Sequence, residues 1–167
     1  MEAILNFANT SGIYAFMNSA WGWPTVESLH FIGLCLLIGT VGVFDLRMLG
    51  VGRGIPMVAL HRLVPWGVLG FALNVTTGLM FFVSAPDQYA FNPAFQTKMV
   101  FMALAGMNML LFYGWAQGRV KRAGADERAP ARAMTIAIVS LSCWSLVVVC
   151  GRLITYFRPP YHWCVWC

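Results

Sequence analysis

The chain has 167 residues, of which 59% are hydrophobic and 10% are charged, and its formal net charge is +5. A soluble domain averages about 45–50% apolar and about 25% charged residues, so this chain carries too few charges to cover the surface of a soluble fold. The composition therefore excludes a cytosolic enzyme, a nucleic-acid binder and a disordered regulator, and it indicates an integral membrane protein.

Residues 1–22 predict a helix that lies in the membrane interface on the outer side. Most apolar residues of this segment fall on one side of a helix that is interrupted around Ser11 and Gly12. Glu2 stands where a secretory signal has its basic residues, so the segment differs from a typical signal. We expect Trp21 and Trp23 at the level of the lipid headgroups, where amphipathic rings are favoured.

Residues 23–157 contain four stretches that are long and apolar enough to cross a bilayer, since a spanning helix needs about 20 mostly apolar residues. The expected spans are residues 26–49, 63–85, 99–118 and 133–157. Because the connections are short, the predicted fold class is all-α: an integral membrane protein with four transmembrane helices in an up-down bundle, preceded by the interfacial helix.

The basic residues predict the orientation. Of the eleven Lys and Arg residues, eight lie in or beside the first and third loops: Arg47, Arg53, Arg62, Arg119, Lys121, Arg122, Arg128 and Arg132. Basic residues collect on the cytoplasmic side of membrane spans, and the two loops agree. The expected localisation is the bacterial inner membrane, with both termini in the periplasm.

Ionisable residues near the outer ends of the spans predict an ion pair. Glu27 and His30 are three residues apart, which places both side chains on one face of the first span. Because an ionisable residue in a span normally faces the interior and finds a partner, we expect Glu27 to pair with Arg152 or Lys98. The same spacing occurs in carboxylate-bridged metal bundles, but no other span supplies the further ligands of such a site.

His30 has two interpretations. It either forms a hydrogen bond with a neighbouring side chain or serves as an axial ligand of a b-type haem, with Arg152 or Lys98 holding the propionates. The candidates for the second axial position are His162, Met99 and Met102, besides an open position. His61 is excluded from this role because it lies near the other end of the spans, roughly 20 Å away, where we expect contact with solvent or headgroups.

Further polar residues inside the spans are interpreted as structural. Asp45, Arg47 and Arg62 predict a cluster of ion pairs at the inner edge. Asn74 and Asn108 are expected to form hydrogen bonds between helices. The cysteines within the spans are interpreted as small apolar packing residues: Cys35, Cys143 and Cys150.

Residues 158–167 form an aromatic tail that contains a C-x-x-C pair. His162, Cys164 and Cys167 provide three potential ligands for a soft metal ion, whereas a zinc site needs a fourth. A disulfide or a free pair of thiols on the oxidising outer side is the alternative. Covalent attachment of a c-type haem is excluded, because no histidine follows the second cysteine.

The chain resembles a family of small bacterial four-helix inner-membrane proteins of unknown function, and it is distantly similar to the membrane part of copper resistance protein D. The stretches that carry the resemblance are W-P-T-V-E-S-L-H at 23–30, F-D-L-R-M-L-G at 44–50, R-L-V-P-W-G-V-L-G-F-A-L at 62–73, N-P-A-F-Q-T-K at 92–98, A-L-A-G-M-N at 103–108 and G-R-L-I-T-Y at 151–156. The resemblance implies a four-helix bundle with signature polar positions at Glu27, His30, Asp45, Arg47, Lys98, Asn108 and Arg152. It implies no activity, and the tail after Arg158 departs from the pattern.

We therefore expect a non-catalytic accessory or structural subunit of a larger bacterial membrane complex related to electron transfer, with no activity of its own. No span contains a complete catalytic set, and both ends of the chain are rich in aromatic anchors. The expected partners are other membrane-protein subunits and bound lipid, with no nucleic acid and no soluble small-molecule substrate. The alternative is a b-type membrane cytochrome with His30 as ligand; a transporter using Glu27, His30 and Arg152 is a third interpretation.

Overall fold

A computed structural model describes residues 2–118 and 129–157 of the chain, and every regular element within these ranges is helical. Four helical segments are long and apolar enough to cross a membrane: Gly22–Met48, Met57–Ser84, Pro93–Trp115 and Ala131–Phe157. This confirms the prediction of an all-α chain with four such helices.

Eight α-helices follow one another along the described chain. They are α1 (Glu2–Thr10), α2 (Ile13–Met17), α3 (Gly22–Met48), α4 (Met57–His61), α5 (Val64–Ser84), α6 (Pro86–Ala90), α7 (Pro93–Leu111) and α8 (Ala131–Leu153). A π-helical turn, Phe112–Ala116, continues α7, and a 3-10 turn, Ile154–Phe157, continues α8. Helix α7 begins six residues before the apolar span predicted from 99, because the Asn92 side chain caps it by accepting hydrogen bonds from the Ala94 and Phe95 amides.

The N-terminal segment forms two short helices rather than one. Gly12 lies between them with a φ of 75°, a conformation that favours glycine, and this is the break predicted from the sequence. Ala8 of α1 and Met17 of α2 are buried, because α1 packs against α5 and α2 packs against both α3 and α5. The segment is therefore docked on the ends of the long helices.

Helices α3 and α5 form the most extensive contact, and they meet through glycine. A Cβ atom placed on Gly70 would lie 2.6 Å from the Gly33 carbonyl oxygen, and one on Gly67 would lie 2.6 Å from Thr40 Oγ1. The absence of side chains at these positions allows the two backbones to touch, as small residues do in membrane helix pairs.

Helices α7 and α8 form the second extensive contact, and two asparagines connect them. Asn92 donates through Nδ2 to the carbonyl oxygens of Ile154 (3.0 Å) and Phe157 (3.1 Å). Asn108 donates through Nδ2 to the carbonyl oxygen of Ile136 at 2.9 Å, which confirms the predicted bond between helices. Asn74, in contrast, donates to the Gly70 carbonyl oxygen of its own helix at 3.0 Å.

Helix α3 also packs on α8, which joins the two pairs, whereas contacts between α5 and α7 are sparse. Two apolar clusters close the ends of the bundle. At the end that holds His30, called the His30 end, the cluster contains Tyr89, Ala94 and Ile154. At the opposite end, called the Asp45 end, the cluster contains Phe44, Met48, Met57, Leu60, Phe112, Ala129, Ala133 and Ala137.

Most of the apolar surface of the long helices is not covered by the part of the chain that the structure describes. In the four apolar segments, between 17% and 33% of the most apolar window is buried. Contiguous exposed apolar surface of this extent marks contact with a membrane or with other proteins.

Candidate functional site

The His30 end contains a group of polar side chains contributed by several helices, here called the His30 site: His30, Thr77 and Lys98. His30 of α3 is half-buried, and its Nδ1 lies 2.7 Å from Oγ1 of Thr77 on α5. Thr77 is only 2% exposed. The predicted alternative of a hydrogen bond between His30 and a neighbouring side chain is therefore present in the structure.

The hydrogen bonds of Thr77 indicate which ring nitrogen of His30 carries the proton. Thr77 Oγ1 donates to the Leu73 carbonyl oxygen at 2.7 Å, and a hydroxyl group has one proton to donate. With that proton directed to Leu73, the Thr77 oxygen accepts toward His30, which corresponds to the tautomer with the proton on Nδ1. In a neutral imidazole with a proton on Nδ1, Nε2 retains a lone pair and can accept a proton or coordinate a metal ion.

Lys98 brings a positive charge to the same place from α7. Its side chain is half-buried, and its Nζ lies 3.7 Å from the point where a Cβ atom of Gly151 would stand. It is within electrostatic range of His30 and of the Cys150 thiol. Within residues 2–118 and 129–157, the ammonium group of Lys98 has no hydrogen-bond or ion-pair partner. The site thus presents one hydrogen-bond acceptor and one unpaired cation.

Aromatic rings line the site on one side. The Phe81 ring lies edge-on to the His30 ring, with 5.8 Å between the centroids, and the Trp23 ring lies 4.9 Å from Phe81. Both His30 and Lys98 remain partly accessible. The site is therefore a half-open polar pair beside an apolar aromatic wall.

The other residues predicted for this end lie outside the His30 site. Glu27 and Arg152 are both exposed, and in the described part of the chain they form no ion pair with each other or with Lys98. Among the candidates for a second haem ligand, Met99 is exposed and Met102 is half-buried. Of the proposed haem set, His30 and Lys98 lie within electrostatic range of each other, and the Arg152 side chain is exposed.

At the Asp45 end, the residues of the predicted ion cluster make separate contacts. Asp45 is 3% exposed and has the Ser140 side chain as a hydrogen-bonding neighbour, while its Oδ2 atom has no partner among the residues described. Arg47 donates through Nε to the Ile55 carbonyl oxygen at 2.7 Å and through a terminal nitrogen to that of Arg53 at 3.1 Å. Arg62 is exposed. Arg47 therefore stabilises the loop between α3 and α4 through two hydrogen bonds.

His61 is more enclosed than the sequence suggests. It is half-buried, its Nε2 lies 3.2 Å from Nε2 of Gln117, and its ring packs edge-on against Phe44 and Tyr113, with centroids 6.1 and 6.2 Å apart. His61 is part of the aromatic packing of the Asp45 end, where it adjoins the apolar cluster through Phe44.

A groove with a volume of about 370 Å³ runs between α3 and α8. Its lining is mostly apolar: Ile38, Gly42, Leu141, Trp144, Ser145 and Val148. This lining is compatible with a lipid acyl chain, and it carries no ionisable group that would define a reaction.

The described residues do not include the tail, 158–167, and therefore do not include the predicted metal ligands His162, Cys164 and Cys167. They also do not include residues 119–128, which contain four of the basic residues. In the described ranges, no group of three His, Cys, Asp or Glu side chains is placed to hold a metal ion. The span cysteines are free thiols; Cys143 and Cys150 are buried, as expected of packing residues, and Cys35 is exposed.

No family model, curated protein or solved structure matches the chain. The function is therefore inferred from the residues themselves. Of these, Thr77 and Ser140 were missed by the sequence analysis, because a lone hydroxyl in an apolar helix is as common in packing as in a site. The glycine contact had a usable signal, the spacing of Gly67 and Gly70 within an apolar helix.

Proposed function

We propose that the chain is a non-catalytic accessory subunit of a larger bacterial membrane complex that is related to electron transfer. The observation that carries this proposal concerns α7. Among the four apolar segments, the one that contains α7 has the lowest mean hydropathy and also the smallest buried share, 17%. A helix that is both least apolar and least covered is less suited to lipid than its neighbours, and a protein partner accounts for both properties.

The exposed surface of α7 contains three methionines, a side chain that adapts to irregular surfaces. Met99, Met107 and Met109 are 44%, 58% and 50% exposed. Trp115, at the end of the same segment, is 68% exposed. These side chains supply a large adaptable apolar contact, and they support α7 as the surface that meets other subunits.

The proposed orientation is an up-down bundle in the bacterial inner membrane with the Asp45 end in the cytoplasm and both termini in the periplasm. Two observations support it. The residue pairs Thr40–Gly67 and His30–Thr77 support opposite directions for α3 and α5. Arg47, Arg53 and Arg62 lie at the Asp45 end or in its loop, which agrees with the preference of basic residues for the cytoplasm. Lipid in the groove between α3 and α8 is part of the same proposal.

A second candidate is a b-type cytochrome with His30 as axial ligand. The observation that favours it is the hydrogen bond from Nδ1 to Thr77, since a metal-ligating histidine normally donates its other ring nitrogen to a second group. Lys98 could then pair with a haem propionate. His162 and a metal site in the tail with Cys164 and Cys167 stay predictions.

The test is purification of the tagged chain from its native membranes in a mild detergent, followed by separation of complexes by size. We expect other subunits to remain bound to the wild-type chain. The larger side chain of Met107→Trp on α7 should release the other subunits. The control Leu79→Trp on α5 should not, although Leu79 (57% exposed) and Met107 (58% exposed) are similarly exposed. Purification of the wild-type chain alone would contradict the subunit proposal. A reduced-minus-oxidised absorption spectrum of the same sample tests the second candidate.

A further inference from the structure

We propose that His30, Thr77 and Lys98 form a binding site for the headgroup of a lipid-soluble quinol. This inference rests on the proposed electron-transfer role and names the ligand class that the His30 site would take. The observation behind it is a pair of complementary groups, an acceptor nitrogen and an unpaired ammonium, at a half-open position between apolar helices.

The acceptor is Nε2 of His30. The Thr77 oxygen accepts from Nδ1 at 2.7 Å because the Thr77 proton is donated to the Leu73 carbonyl oxygen at 2.7 Å. In this tautomer Nε2 is an acceptor, and it suits a ligand that carries a hydroxyl group. A carboxylate or phosphate group would not suit this nitrogen, because both partners would present lone pairs.

The donor is the Lys98 ammonium group. Within the described ranges it has no hydrogen-bond or ion-pair partner, although it is half-buried beside Gly151. Leaving a partly buried ammonium without an acceptor is costly, so a ligand oxygen at this point would be stabilising. A quinol offers both functions in one ring, a hydroxyl proton for Nε2 and an oxygen for Nζ.

The surroundings suit an aromatic, membrane-dissolved ring. Phe81 and Trp23 form an apolar wall beside His30, and the His30 and Lys98 side chains both remain partly accessible. A haem would use the same Nε2 atom but would also need space on both ring faces. Of the candidates for its opposite ligand, Met99 is exposed, Met102 is half-buried and His162 lies outside the described residues. The observations therefore favour the quinol over the haem.

The test measures binding of decylubiquinol, a short-chain benzohydroquinone, to the full chain in lipid nanodiscs under an inert atmosphere. Quinol retained by the tagged protein is quantified by chromatography against empty nanodiscs. We expect saturable retention that Lys98→Met and Thr77→Val each weaken by about tenfold or more, the usual effect of removing a hydrogen bond that involves a charged or positioning group.

Two variants serve as matched controls. Thr77→Ser retains the hydroxyl group and should bind like the wild type. Thr76→Val removes the neighbouring hydroxyl, which is exposed and bonded only to the Ala72 carbonyl oxygen of its own helix at 2.9 Å, and should also bind normally. Loss of binding in Thr77→Val that Thr77→Ser restores would identify Thr77 as a positioning residue rather than a packing residue.

Three results would overturn the inference: retention no greater than that of empty nanodiscs, equal losses in Thr76→Val and Thr77→Val, or a stoichiometric haem spectrum that disappears in His30→Ala. The two proposals fail separately. Other subunits that copurify with a chain unable to bind quinol would leave the subunit role intact. A chain that binds quinol but purifies alone would remove that role and keep the site.

Discussion

Adding one methyl group to the contact between α3 and α5 should destabilise the protein measurably. In Gly70→Ala the new Cβ atom would lie 2.6 Å from the Gly33 carbonyl oxygen, 2.7 Å from the Leu37 nitrogen and 2.9 Å from the Leu36 Cβ atom. Two of these are backbone atoms and none is the flexible end of a side chain. The helices must therefore separate, and overpacking of this kind costs about 1–3 kcal/mol in the free energy of unfolding.

The matched control is Gly39→Ala on α3, where a Cβ atom would meet no other atom within 4 Å. Both substitutions gain the same helix propensity, about 1 kcal/mol, so the difference between the two variants isolates the packing cost. For a chain of this length each kcal/mol corresponds to about 2–4 °C in Tm. We expect Gly70→Ala to unfold about 2–12 °C below Gly39→Ala when thermal unfolding in detergent is followed by circular dichroism. Equal Tm values for the two variants would refute the close contact.

Three further predictions concern the other helices. Asn92→Ala should lower the free energy of unfolding by about 2–3 kcal/mol, because it removes the cap of α7 and two hydrogen bonds to the turn that continues α8. Asn92→Ser should recover the cap alone. Chemical denaturation in detergent measures both variants. Asn108→Ala should cost about 0.6–1.7 kcal/mol in the same assay, the range of hydrogen bonds between membrane helices, and no change would mean that the bond to Ile136 contributes nothing. In a variant without the two tail cysteines, a membrane-permeant maleimide that partitions into the detergent should modify Cys35 and spare the buried Cys143 and Cys150. Mass spectrometry would detect the reverse order if α8 packed differently.

The sequence was sufficient to find the four long helices, since runs of about 20 apolar residues are their direct consequence. It was less informative about where they begin. The span predicted from residue 99 lies inside a helix that starts at Pro93, because the Asn92 cap and not the hydrophobicity sets that boundary. A cap depends on a few local bonds and has little effect on an average taken over 20 residues.

The rise per residue along a helix was enough to predict the depth of each polar residue in the bundle. It did not predict which side of the helix carries that residue toward the neighbouring helices. Glu27 and His30 share a face by spacing, and yet Glu27 is exposed while His30 turns toward Thr77. In a soluble helix the apolar stripe would have shown which face is buried. Here the face toward lipid and the face toward the neighbouring helices are both apolar. The sequence could therefore suggest His30 and Lys98 as site residues but could not show that the Arg152 side chain is exposed.

The distance between α3 and α5 at the glycine contact also sets the distance between His30 and Thr77. Gly33 follows His30 by three residues on α3, and Thr77 follows Gly70 by seven on α5, so the close approach at the glycines brings Thr77 within 2.7 Å of the His30 ring. A separation of the helices by about 1 Å would stretch this bond beyond the range of a hydrogen bond. Gly70→Ala should therefore weaken decylubiquinol binding as Thr77→Val does, while Gly39→Ala should not. If Gly70→Ala lowered the Tm and left binding unchanged, Thr77 could not be positioning His30, and the acceptor role of Nε2 would lose its structural basis.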